Sequence, residues 1–220
     1  MKLATLALLS FLCLAGATAR AAGDAPAPLA LPAPNMTGGK PLMQALKERR
    51  SERVFSPEKL PPQVLSDLLW AANGVNRPGT DKRTAPSARN WQEIDVYVAT
   101  ADGLFLYDAQ NHQLVPVLKD DVRALSGKQE FVRNAPVSLL FVADFAKMGK
   151  IPEKDKEFYA ATDTGFVSQN AYLYCASAGL STVVLGSVDR EGLGKALKLR
   201  PDQKIILTQP VGYPKKTGTP

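Results

Sequence analysis

Arginines 49, 50 and 53 flank Ser51 and Glu52 in the run Arg49-Arg50-Ser51-Glu52-Arg53. Three guanidinium groups and a hydroxyl within five residues suit an anion with several oxygens. Planar arginine donors match phosphate bidentately, and serine adds a short donor from the same loop. The run also ends a helical stretch, where basic residues serve equally well as a solvated complement to the helix dipole. Taken alone it leaves both readings open. Other chemistries are poorly supplied. His112 is the only histidine and lies in the turn-like Ala109-Gln110-Asn111-His112. Cys13 and Cys175 are the only cysteines, and Cys175 sits in the apolar helical run Tyr172-Leu173-Tyr174-Cys175-Ala176. With no histidine near it, Cys175 reads as a buried small thiol. This inventory excludes a zinc site of the usual composition.

The basic run must be held by a folded domain, and the composition allows one. The 220 residues are 45% hydrophobic and 22% charged, with a formal net charge of +6. That is a soluble globular composition of single-domain size. The positive excess is scattered and does not interleave with aromatics, which argues against nucleic-acid binding. Residues 1–21 read as a Sec-type signal peptide: Lys2, an apolar run over 3–16, then Ala19-Arg20-Ala21 as the cleavage site, with Ala17-Thr18-Ala19 competing. The run is too short for a typical span, so no integral membrane segment is expected after cleavage. Phe11-Leu12 before Cys13 does not fit a lipidation site, and residues 1–21 contain no twin arginine. The expected location is therefore the periplasm or cell envelope. Residues 22–40, rich in Ala, Pro and Gly, read as a flexible linker, and 41–220 as the functional domain.

Within 41–220, helices are expected over 41–50, with Leu42, Met43 and Leu46 on one face, and over 61–73, with Val64, Leu65, Leu68, Leu69 and Ala72 as the stripe. Ile94, Val96 and Val98 alternate with Asp95, Tyr97 and Ala99, which predicts a strand with one buried face. A hairpin is expected over 103–107 and 113–118, and short helices over 120–126 and 129–133. The apolar run 137–143 predicts a central strand. Residues 145–155 read as polar and mobile, and 157–178 as a long helix whose small residues admit a close neighbour, capped by Gly179. Strands over 180–185 and 204–209 bracket a helix over 189–197 with Asp189 as N-cap. Strands and helices without strict alternation predict an α+β fold.

Four segments in this order resemble the nitroreductase superfamily of FMN enzymes: Arg49-Arg50-Ser51-Glu52-Arg53-Val54-Phe55, Ala85-Pro86-Ser87-Ala88-Arg89-Asn90-Trp91-Gln92, Gly179-Leu180-Ser181-Thr182-Val183-Val184-Leu185-Gly186, and Val211-Gly212-Tyr213-Pro214 followed by lysines. The resemblance covers nearly all of the mature chain. Leu68-Leu69-Trp70-Ala71-Ala72-Asn73-Gly74 and Gly103-Leu104-Phe105-Leu106-Tyr107-Asp108 look most like the branch containing azoline-oxidising dehydrogenases. The adjacent Lys-Tyr pair associated with that oxidation is absent. The resemblance implies a three-layer fold with a mixed central sheet flanked by helices, and a homodimer with FMN bound at the subunit interface. It assigns Arg49, Ser51 and Arg53 to the phosphate and ribityl chain, Arg50 to the ring edge, and Lys215 or Lys216 to the phosphate cage. Pro86, Ser87, Ala88 and Asn90 match the segment that reaches the other subunit's flavin. Val184, Leu185, Gly186 and Ser187 match the loop whose backbone faces the isoalloxazine, and Gln129 a polar flavin contact.

Each segment also has a plainer reading: a turn with a buried tryptophan at Asn90-Trp91-Gln92, an ordinary turn glycine at Gly186, a solvated tail at Lys215-Lys216. The implied activity is ping-pong hydride transfer between a donor and a small organic acceptor. Hydride chemistry belongs to the flavin, so no side-chain nucleophile is needed. Export removes the chain from the usual NAD(P)H supply and points to a quinol, a redox protein or an organic substrate as donor. The competing readings are a non-catalytic flavin or ligand carrier on the same scaffold and a cofactor-free envelope protein.

Overall fold

Alternation along two strands builds the core. In a computed structural model describing residues 27–215, β5 (Val137–Asp144) sends Val137, Leu139, Phe141 and Ala143 to one apolar cluster and Leu140 and Val142 to another. β2 (Ile94–Thr100) divides likewise, with Ile94, Val96 and Val98 on one side and Tyr97 and Ala99 on the other. Neighbouring residues of a strand point to opposite faces, so both faces of the sheet are covered. The single buried face expected for β2 is thus corrected. Its second face lies in the cluster that contains Leu193 of α4 (Arg190–Ala196). The signal segment, residues 22–26 and Lys216 lie outside the described residues.

The sheet has seven strands in the order β1 (Leu29–Ala30), β4 (Gln113–Leu118), β3 (Gly103–Asp108), β2, β5, β7 (Gln203–Gly212) and β6 (Ser181–Thr182). β5 is buried along its whole length between β2 and β7, as its continuous apolar run predicts. Every described pairing is antiparallel, where mixed directions were expected. α2 (Pro62–Asn73) and α3 (Glu153–Ala178) cover one face through Leu68, Leu69 and Ala72 against Ala160, Val167, Ala171 and Cys175. With α4 on the other face, the result is the three-layer α+β arrangement. Gly179 ends α3 in the left-handed region (φ 71°, ψ 30°), and Leu180 N–H donates to Cys175 O at 2.9 Å, which satisfies a terminal carbonyl at no side-chain cost.

Several local expectations change. Residues 27–40 are docked, not a free linker. Leu29 pairs with Leu114. Asn35 N donates to Asp67 Oδ1 at 2.7 Å, Gln63 Nε2 to Ala33 O at 2.9 Å, and Lys40 N to Ser177 Oγ at 2.7 Å. His112, in the predicted turn, places Nε2 3.0 Å from Pro32 O, with the Tyr107 hydroxyl 2.9 Å from Nδ1. Partners for the arm's backbone groups come from the short β1–β4 pairing, from His112 O and from side chains far away in sequence, and that satisfies it with a strand of only two residues. Residues 145–148 form a 3-10 turn with Phe145 and Met148 buried, so this part is not a mobile polar stretch. The strand expected over 180–185 shrinks to Ser181–Thr182 plus a bridge from Leu185 to Thr208. The short helices near 123 and 131 are 3-10 turns, Arg123–Leu125 and Glu130–Asn134. In α1 (Leu42–Glu48) the buried residue is Ala45, while Leu42, Met43 and Leu46 face outward.

Candidate functional site

Three distant pieces of chain meet at the arginine run. After α1, Glu52 N–H donates to Thr182 O at 2.9 Å and Ser56 N–H to Tyr213 O at 2.8 Å, while Phe55 bridges Pro214. Ser181 Oγ donates to Glu52 Oε2 at 2.6 Å. That bond, followed by the Arg50 guanidinium, holds the Glu52 carboxyl below its ordinary range. A Cβ on Gly212 would stand 2.5 Å from Pro136 Cδ, so glycine lets this junction close.

The basic side chains divide. Arg49 and Arg50 line a cavity of about 480 Å³ with Lys40, Lys47 and Tyr172. Arg53 and Lys215 line an adjoining depression of about 300 Å³, and Glu52 and Pro214 border both. Arg50 is committed to Glu52 at 2.5 Å. The side chains of Arg53 and Lys215 make no hydrogen bond among the described residues, and Arg49 rests over the Tyr172 ring, 5.3 Å from its centroid. The cluster therefore presents uncommitted donors on both sides of Glu52.

The second loop, residues 184–187, runs beside this region. Lys128 N–H donates to Ser187 O at 3.0 Å, which brings Gln129 alongside. Gln129 Oε1 is a buried acceptor without a partner among the described residues. Val184 N–H donates to the Tyr172 hydroxyl at 2.8 Å. Leu185 is spent on the fold: its N–H and C=O both pair with Thr208, and its side chain joins Phe55, Val132 and Val183 in a third apolar cluster. It therefore has no backbone group to offer a ring. Gly186 and Ser187 are exposed, and their N–H groups donate to nothing among the described residues. A Cβ on Gly186 would meet only Leu207 at 3.8 Å, so packing within the protomer does not demand this glycine.

Pro86, Ser87, Ala88 and Asn90 are not brought to the arginines. Ala88 N–H donates to Asp163 Oδ2 at 2.8 Å and Gln92 N–H to Ser87 Oγ at 3.0 Å. Asp163 precedes Tyr172 by about 13 Å along the axis of α3, so the segment lies at the other half of that helix. Arg89, Asn90 and Gln92 have φ of 52°, 57° and 50°. Three non-glycine residues in the left-handed region within four positions constitute local strain, of the kind found at functional segments.

Beneath this segment lies a group that sequence reading missed. Glu93 is fully buried, and among the described residues neither carboxylate oxygen has a hydrogen-bond partner. Burial, with the Asp163 carboxylate adding repulsion, pushes its carboxyl from an ordinary 4.5 up to about 7. Folding therefore takes up a proton between those values. The contribution to stability is complete below pH 4.5 and is lost as pH rises through 7, a range worth about 3 kcal/mol at most. Glu93→Gln should flatten this dependence, matching the parent near pH 5 and exceeding it at pH 8. Urea midpoints at the two pH values check it, and parallel curves for parent and variant would oppose it.

The surface adds one more feature. Leu42, Met43 and Leu46 of α1 are 63%, 75% and 44% exposed, and Phe158 and Phe166 of α3 are also bare.

Comparison with known proteins gives a consistent picture. The model of the nitroreductase family matches residues 46–213. A Methanocaldococcus jannaschii protein described as a nitroreductase is 32% identical over 185 residues, 78% of this chain and 90% of that one. The crystal structure of a protein described as a nitroreductase from Ralstonia eutropha JMP134 superposes with a TM-score of 0.82 at 44% identity, over 87% of this chain and 91% of the other. One from Desulfovibrio desulfuricans, solved in complex with FMN, shares the fold at a TM-score of 0.60 and 24% identity, over 82% and 90%.

Proposed function

The chain belongs to the nitroreductase family and is an FMN-dependent oxidoreductase, and from that premise we propose that it works as an exported homodimer, exchanging hydride by a ping-pong mechanism with a small organic acceptor in the cell envelope. The observation that carries the site assignment is the donor set. Arg49, Arg53, Lys215 and the Ser51 hydroxyl are gathered by the pairing of 49–56 with 181–182 and 213–214, and Arg50 alone is tied to a carboxylate. This set fits a phosphate dianion. The N–H groups of Gly186 and Ser187 fit a polar ring edge, beside the apolar wall of Val184, while Gln129 adjoins this loop with its Oε1 buried. Leu185 supports that wall from the core side and contributes no ring contact. The exposed face of α1 and α3 suits a second copy of the chain, which would carry its own Pro86–Asn90 segment toward the neighbouring flavin.

Bound FMN supplies reversible hydride storage. The chain's own residues anchor the phosphate, fix the ring edge and, through the partner's apolar face, keep water from the site. Nearness to the azoline-oxidising branch rests on residues 68–74 and 103–108, and the missing Lys-Tyr pair favours a different substrate. Export by the proposed amino-terminal signal would remove the enzyme from the usual NAD(P)H pool, so the proposed donor is a quinol, a redox protein or an oxidisable organic substrate. Anaerobic stopped-flow reduction tests this. A quinol should bleach the visible flavin band faster than micromolar NADPH. Faster bleaching by NADPH would refute the donor assignment, and a loaded protein reduced by no donor would favour a flavin carrier.

A further inference from the structure

One side chain touches both halves of the proposed site. Tyr172, on α3 and 6% exposed, carries Arg49 over its ring and places its hydroxyl 2.8 Å from Ser51 Oγ and 2.8 Å from Val184 N. Ser51 and Val184 belong to loops remote in sequence, one following α1 and the other following β6. The valence of the hydroxyl sets the direction of this chain. Val184 N–H can only donate, so the Tyr172 oxygen accepts from it. The phenolic proton is buried and has Ser51 Oγ as its one acceptor within reach among the described residues. The arrangement that wastes no buried donor has Tyr172 O–H donating to Ser51 Oγ. The proton of Ser51, an exposed residue, is then left to donate to solvent or to a bound anion.

We propose that Tyr172 is a positioning residue that couples the phosphate-binding loop to the ring-facing loop, directing the Ser51 hydroxyl outward and fixing residues 184–187 at the same time. The inference rests on the FMN reading above. Hydrogen bonds link Val184 to Tyr172 and Tyr172 to Ser51, so order imposed on Ser51 by a phosphate is passed to Val184. The Glu52 contacts to Ser181 and Thr182 and the packing of Phe55 against Val183 and Leu185 set the loops side by side, and among the described residues Tyr172 is the side chain that hydrogen-bonds to both Ser51 and Val184.

Tyr172→Phe keeps the ring, its packing and the arginine above it, and removes only the hydroxyl. Dissociation constants for FMN and for riboflavin, which lacks the phosphate, are measured on wild type, Tyr172→Phe, Ser51→Ala and the double variant, with the midpoint potential of bound FMN. Tyr172→Phe should lower the preference for FMN over riboflavin by about tenfold, the scale of one hydrogen bond to a charged network, and should shift the potential. Ser51→Ala should lower the preference by a similar factor, and the double variant should lose little more than either single one. Equal weakening of both flavins with an unmoved potential would mean that Tyr172 only packs, and would overturn the coupling alone. A wild-type chain that binds neither flavin would overturn the FMN reading and the coupling with it.

Discussion

Replacing Arg49 and Arg53 together with alanine is expected to weaken FMN binding by roughly a thousandfold and leave the fold in place. A hydrogen bond to a charged group contributes about 1.5–3 kcal/mol, and two such losses approach three decades in affinity. These two arginines are chosen because the structure leaves them uncommitted. Arg53 is exposed and Arg49 only rests on Tyr172, whereas Arg50 is paired with Glu52. Removing surface side chains of this kind costs the fold within about 1 kcal/mol. Arg50→Ala should therefore affect affinity less than Arg49→Ala. Fluorescence quenching of FMN checks both. Full occupancy in the double variant would show that the phosphate is held elsewhere or not at all.

Met43→Asp should convert a dimer to a monomer and release flavin with it. Met43 is 75% exposed in the protomer, so the substitution does little to an isolated chain. At a buried interface the same carboxylate is unpaired, and such a charge costs about 3–5 kcal/mol. The dimer dissociation constant should rise at least about a hundredfold. Light scattering after size exclusion, over a concentration series, measures it. An unchanged dimer would move the interface away from α1. A parent that is monomeric would remove the interfacial site altogether.

The elements legible in the sequence were those whose pattern is made by their own residues. The run 137–143 is a continuous apolar strand, and it is the buried β5. The 103–118 hairpin, Gly179 as a cap and Asp189 as an N-cap accepting from Gly192 N–H at 3.0 Å follow from local chemistry. What failed depended on partners distant in the chain. The 27–40 arm has a linker's composition, and partners distant in the chain, among them β4, Gln63, Ser66, Asp67, His112 and Ser177, make it part of the fold. α3 buries Asp163, Thr164 and Ser168 along with Val167, Ala171 and Cys175, and exposes Phe158 and Phe166, unlike a helix whose apolar residues meet only its own core. α1 inverts in the same way. A sequence does not distinguish an apolar face meant for the core from one meant for another copy of the chain.

The candidate site rests on four ordered segments in the sequence, and the contacts that join them are not visible there. The arginines stand out by residue type, and the 184–187 loop by the resemblance alone. Tyr172 has no assigned role in the sequence, because a tyrosine in an apolar helical run gives no sign of where its hydroxyl points. Glu93 went unremarked because its burial comes from the helix laid across it. An acidic residue opening an apolar strand, directly before Ile94, was the one signal available.

The account turns on phosphate recognition by the arginine loop, and an equilibrium titration of the purified mature protein with FMN and with riboflavin tests it most directly. FMN should bind at least about a hundredfold more tightly than riboflavin, with the difference shrinking as ionic strength rises. Equal affinity for the two flavins, insensitive to salt, would contradict it.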